Sequence, residues 1–73
     1  MSKTLRKIGQ NIDAKRKEKN LTIERLGELC EMGKQNMHPI LRGKQNVTIE
    51  TLSKIAKALE VDLKDLFTDV EVD

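Results

Sequence analysis

Nowhere in this sequence do more than two apolar residues stand side by side. They recur instead at three- and four-residue intervals, as in Leu5, Ile8 and Ile12, or Leu52, Ile55, Ala56 and Leu59. That spacing gathers them along one side of a helix. A membrane-spanning helix needs about 20 consecutive apolar residues, and nothing of that kind is present. No β-rich run, internal repeat or low-complexity segment occurs either. The chain can therefore bury its apolar atoms only as short amphipathic helices around a shared core, which predicts an all-α fold.

With 73 residues, one domain is the sensible count. A domain this short buries only about 60% of its unfolded surface. No staple assists it. One cysteine, Cys30, cannot form an internal disulfide, and with the one histidine, His38, it matches no metal-site spacing, so no metal or cofactor is expected. The unpaired thiol suits a reducing compartment. The start, MSKTLRKIGQ, has charge but no apolar stretch for a signal peptide. A cytoplasmic location is expected.

Charge is unevenly placed. Residues 1–46 hold 11 Lys/Arg and 5 Asp/Glu, or +6, and residues 47–73 hold 3 and 7, or −4. Ordinary solvated helix faces could produce this, but so would one surface turned to a polyanion and another kept off it. Single-stranded nucleic acid is bound by stacking on aromatic rings. Phe67 is the one aromatic residue here, so duplex DNA is the better polyanion.

The pattern predicts five helices. The first runs from about Thr4 to Lys19 and is ended by Asn20. Thr22 caps the second, with Leu26 and Leu29 facing inward. Glu31, Met32 and Gly33 break it. The third spans Lys34–Leu41, with Met37, Ile40 and Leu41 inward and Gly43 as its stop. A polar loop leads to Thr48, which caps the fourth. Asp62 caps a short fifth helix that turns Leu63, Leu66 and Phe67 inward. Residues 1–68 form the domain and residues 69–73 a short acidic tail, expected to fray or to pair as a strand with a partner chain.

Two short helices joined by a tight turn make a helix-turn-helix when the second can lie in a major groove. TIERLGELCEMGKQNMHPILRG, from Thr22 to Gly43, has that form. Leu26 and Met37 can pack the two helices together, and Gly27 lets the backbone approach. The third helix then presents Lys34, Gln35, Asn36 and His38. Gln and Asn can bond an adenine edge bidentately, and Lys can reach guanine or phosphate. Thr22 and Gly33, at the two helix N-termini, sit where free N–H groups meet phosphate oxygens.

From Ile8 to Phe67 the chain resembles the Cro/cI-type (Xre-like, lambda-repressor-like) helix-turn-helix family. The carrying segments are IGQNIDAKRKEKNLT, TIERLGEL with MGKQNM, LRGK, and VTIETLSKIAKALEVDLKDLF. The resemblance implies a compact five-helix bundle and a sequence-specific duplex-DNA-binding regulator of transcription, usually dimeric; because one helix reads few base pairs, a homodimer on a palindromic site, formed through the C-terminal helix and tail, is expected. The resemblance places Gln35 at the base-reading position, Lys34, Asn36 and His38 beside it, and Arg42, Lys44, Gln45 and Asn46 in a phosphate-contacting loop.

Four positions depart from the family pattern. Ile23 stands where a phosphate-bracing Gln is common. Glu31 stands at a turn position that is commonly Gly. Leu41 replaces a Glu that would pair with Arg16, leaving Arg16 for solvent or phosphate. Pro39 lies inside the third helix, where proline costs about 3 kcal/mol. A kinked or partly 3₁₀ end is expected there, with the first turn intact.

Plainer roles accompany these. His38 could be a solvated surface residue, Lys15, Arg16 and Lys17 a solvated face, and Cys30, Met32 and Met37 core filling. Ile23, Glu31 and Pro39 would also suit an antitoxin-like or adaptor module that grips a protein on the same fold. An enzyme is not expected: no nucleophile stands beside a base, and no Gly-rich phosphate loop exists. No small-molecule substrate or membrane partner is expected either.

Overall fold

The computed structural model describes residues 2–73. It contains four α-helices, α1 (Lys3–Glu18), α2 (Ile23–Leu29), α3 (Lys34–Leu41) and α4 (Ile49–Leu59), followed by a 3₁₀ segment, Leu63–Phe67. The expected fifth α-helix is thus replaced by 3₁₀ winding. Its five residues are too few for a stable run of α-helical bonds. Its start is closed locally, with Asp62 N–H donating to Asp65 Oδ2 at 3.1 Å. Its end is drawn to α1, where Asn11 Nδ2 donates to the Leu66 and Thr68 carbonyls at 3.0 and 2.9 Å.

One stripe from each element builds the core. Ile8 and Ile12 come from α1, Leu26 and Cys30 from the end of α2, Met37 and Ile40 from α3, and Leu52, Ile55, Ala56 and Leu59 from α4, with Leu66 closing it. Leu29, expected inward, is 42% exposed. Cys30 lies one turn on from Leu26 and takes the inner position, which leaves Leu29 on the rim. Burial pushes the Cys30 thiol up from its ordinary value, and Lys54 pulls it partly back.

Side-chain oxygens of Ser2, Thr22 and Thr48 cap α1, α2 and α4, accepting from Leu5, Arg25 and Thr51 N–H at 2.9–3.0 Å. Such caps contribute about 1 kcal/mol each. Each α-helix is followed by a residue in the left-handed region, Asn20, Glu31, Gly43 and Glu60 in turn. In each case the next N–H reaches back five residues: Leu21 to Arg16, Met32 to Gly27, Lys44 to Pro39 and Val61 to Ala56. This is the Schellman closure. Gly43 is the one glycine among them, and it also lies against the backbone of Leu5 and Arg6. Glu31 holds φ 60°, which costs a non-glycine residue about 1 kcal/mol. Glu31→Gly is therefore expected to raise the unfolding free energy by about 1 kcal/mol, less the entropy glycine adds to the unfolded chain, as a higher urea midpoint at unchanged m-value.

Arg16 is not left for solvent or phosphate. Its Nε and Nη2 bond Asp13 Oδ1 at 2.9 and 2.8 Å, and Nη1 donates to the Leu21 carbonyl at 2.6 Å. It braces the turn from α1 into α2, and the acid it uses lies one turn back on α1. Partial burial raises the Asp13 carboxyl, but Arg16 and Lys17 outweigh this and hold it below its ordinary value. Lys15 and Lys17 likewise pair with Glu18 and Asp13.

The tail does not fray: it is held against the start of α1. Asp73 Oδ1 accepts from Thr4 N–H at 3.0 Å, and Thr4 Oγ1 donates to the Glu71 carbonyl at 2.6 Å. The first turn of α1 holds no acid of its own. Asp73 brings one to that positive helix end. Hydrogen bonds from the Ser2 side chain and the Thr4 backbone hold its carboxyl below the usual range, against a small opposing effect of burial. Among the described residues no helix is long and apolar enough to cross a membrane.

Candidate nucleic-acid interface

α3 projects from the bundle on two anchors, Met37 and Ile40, at 0% and 3% exposure. Leu26, fully buried, packs α2 into the same core. The turn between them is tight because Met32 N–H bonds the Gly27 carbonyl at 2.7 Å. A Cβ at Gly27 would stand 2.6 Å from the Met32 carbonyl oxygen. Gly27 thus makes room for the turn itself, not for α3 as the sequence suggested.

At 100° per residue, the side opposite Met37 and Ile40 carries Gln35, His38 and Pro39. Lys34, Gln35 and Asn36 are exposed, whereas His38 and Pro39 are half-buried. The helix remains α-helical through Pro39, with no 3₁₀ end. Three bonds close it beyond the proline: Arg42 N–H to His38, Gly43 N–H to Ile40, and Lys44 N–H to Pro39. Proline removes only the bond its own N–H would have given the Gln35 carbonyl. The first turn needs nothing from that N–H, so it stays in place.

The structure gathers the predicted residues unevenly. Gly33, Lys34, Gln35 and Asn36 form one continuous exposed patch at the start of α3. Arg42, Lys44, Gln45 and Asn46 are exposed beyond its other end, where Gly43 pins the loop to α1. Thr22 is exposed at the start of α2, its hydroxyl oxygen already accepting from Arg25 N–H. The Lys44 N–H is spent on Pro39, so only its side chain is available to an anion. Among the described residues, no protein side-chain hydrogen bond engages Gln35, Asn36, His38, Arg42, Lys44, Gln45 or Asn46.

One neighbour was missed in the sequence. Glu24, in the first turn of α2, brings Oε2 to 4.0 Å from Lys34 Nζ. Both side chains are largely exposed, so the pair is weak. It still sets an acid beside the one cation of the Gly33–Asn36 patch. No sequence spacing announces it, because the approach depends on how α2 and α3 cross.

A surface depression lies elsewhere. A groove of about 600 Å³ runs between the end of α2 and α4, lined by Leu29, Cys30, Lys54 and Ala58 among others. It shares no residue with the α3 patch.

Residues 11–71 match the model of the Cro/C1-type HTH DNA-binding domain. The control protein C.BamHI of Bacillus amyloliquefaciens is 37% identical over 60 residues, covering 81% of this chain and 74% of that protein. The restriction-modification controller protein C.AhdI from Aeromonas hydrophila superposes with a TM-score of 0.84 at 32% identity, over 86% of this chain and 91% of that one. SinR, a master regulator for biofilm formation solved in complex with DNA, superposes with a TM-score of 0.76 at 35% identity, over 81% and 95% of the two chains.

Proposed function

This chain belongs to the Cro/C1-type helix-turn-helix DNA-binding family, and we propose that it reads duplex DNA with the first turn of α3 as a homodimer on a palindromic site. A DNA-binding regulator of transcription is the function its relatives support. The observation that carries the finer reading is the patch from Lys34 to Asn36: exposed, without side-chain hydrogen bonds among the described residues, and set on a helix anchored by Met37 and Ile40.

In this reading α2 and α3 are the helix-turn-helix and α3 enters the major groove. Gln35 bonds a base edge, and Lys34, Asn36 and His38 contact bases beside it. Thr22, Gly33, Arg42, Lys44, Gln45 and Asn46 hold phosphates and fix the register. Residues 1–68 are the binding domain and residues 69–73 its acidic tail.

One helix reads few base pairs, so a second copy is needed for useful specificity. The domain measures 30 × 23 × 21 Å. Two copies side by side match half-sites about 34 Å apart. Phe67 and Val70 at the C-terminal end are half-buried and Val72 is 89% exposed, which supports dimerisation there. Sedimentation as a monomer at the concentrations that bind DNA would count against it.

The competing reading, a module that grips a protein, drew on Ile23, Glu31 and Pro39. None of the three alters the framework. Ile23 packs on the core, Glu31 takes the left-handed turn position, and α3 continues through Pro39.

Binding to duplex DNA should weaken steeply with salt, because phosphate contacts release counterions. For Lys44→Ala the magnitude of the log–log slope is expected to fall by about 0.9, one phosphate's share, with base preference unchanged. Fluorescence anisotropy across a salt series measures both. An unchanged slope would remove Lys44 from the phosphate contacts.

A further inference from the structure

Gly33 is the N-cap of α3. Its φ of −73° and ψ of 157° are extended backbone that any residue adopts. Ser, Asp or Asn would cap α3 slightly better than glycine, which ranks beside Thr. Ser2, Thr22 and Thr48 cap the other α-helices, while α3 has no side-chain cap. Neither backbone conformation nor capping requires glycine here, although glycine is an acceptable cap.

Space does. A Cβ at Gly33 would stand 2.5 Å from Gln35 Oε1, 2.7 Å from its Cδ and 2.8 Å from its Nε2. The Gln35 amide lies folded over the N-cap, where a side chain of residue 33 would begin. At Gly9 and Gly27 the atoms in the way belong to backbone. At Gly33 they belong to the end of a flexible side chain, which can swing aside. Serine there would cost the fold little and move the amide, whereas alanine would also weaken the cap.

We infer that Gly33 is a positioning residue for Gln35: its missing Cβ leaves the space in which the Gln35 amide lies, so residue 33 sets the direction that amide presents to a base. The inference rests on Gln35 being a base-contacting residue. Gly33 then governs specificity through Gln35, separately from any contact its own N–H makes with phosphate.

The test compares the wild-type chain with Gly33→Ala, Gly33→Ser, Gln35→Ala and the Gly33→Ala/Gln35→Ala double variant. In the free protein, NMR should show Gln35 side-chain amide protons close to the Gly33 α-protons, and lose that proximity in Gly33→Ala. Gly33→Ser supplies a preferred cap and should melt no lower than wild type. The DNA probe is the duplex the wild-type chain selects, together with versions changed at single base pairs. Gly33→Ala, Gly33→Ser and Gln35→Ala should each lose about tenfold of the discrimination at the same base pair. The double variant should lose no more than Gln35→Ala alone, and Gly33→Ala should leave the salt slope unchanged.

Discrimination retained in both Gly33 variants while Gln35→Ala loses it would overturn the positioning role and leave the DNA-reading function standing. Additive losses in the double variant would overturn it equally. If Gln35→Ala itself changes nothing, Gln35 is not a base reader and the link from Gly33 to specificity fails with it. The NMR comparison needs no DNA, and an amide that stays in place in Gly33→Ala would overturn the inference by itself.

Discussion

Gly9→Ala should destabilise the chain by about 2 kcal/mol and lower its melting temperature by about 10 °C. Two effects oppose each other here. Alanine is the better helix former by about 1 kcal/mol, and Gly9 lies mid-helix in α1. Against this, a Cβ at Gly9 would stand 2.5 Å from the Leu41 carbonyl oxygen and 2.6 Å from that of Ile40. Those are backbone atoms in the last turn of α3, so no side chain can rotate away. Overpacking of this kind costs 1–3 kcal/mol or more, and the steric effect wins. A domain of this size has on the order of 4–11 kcal/mol in all. Thermal denaturation by circular dichroism measures the loss. Equal or higher stability would mean that α1 and α3 can separate freely, and that α3 is not held as rigidly as a reading helix needs.

Pro39→Ala should move stability the other way. Proline inside a helix costs about 3 kcal/mol, through its missing N–H and the clash of its ring with the carbonyl four residues back. Here that carbonyl belongs to Gln35. Proline recovers up to about 1 kcal/mol by restricting the unfolded chain. The balance predicts a gain of about 2 kcal/mol and a melting temperature about 10 °C higher. The variant would also return the hydrogen bond from the residue 39 N–H to the Gln35 carbonyl. A fall in stability would mean that packing of the half-buried ring outweighs the lost bond.

Much of this architecture was legible in the residues. The apolar stripes of α1 and α4 are regular, and the hydroxyls of Thr22 and Thr48 stand one residue before their helices. What was not legible depends on how elements meet. Arg16 lacks the expected partner at position 41, yet it finds Asp13 one turn back on its own helix and the Leu21 carbonyl after it. The tail looked unattached because its partner, Thr4, lies 69 residues from Asp73. Leu29 and Cys30 compete for one inner position, and the smaller residue takes it. The fifth helix was read from a single stripe, and a stripe of that length does not distinguish α from 3₁₀ winding. At the candidate interface, the order of residues on α3 follows from helical periodicity. The closeness of Glu24 to Lys34, and of the Gln35 amide to Gly33, does not.

The central claim is that the first turn of α3 reads base sequence, and it is tested most directly by selecting bound duplexes from a random pool at two salt concentrations, with Gln35→Ala alongside. The account predicts a palindromic consensus with half-sites about one helical turn apart, binding that weakens at the higher salt, and loss of preference at defined positions in Gln35→Ala. Salt-sensitive binding without any consensus, or no binding at all, would contradict it and direct the search to a protein partner.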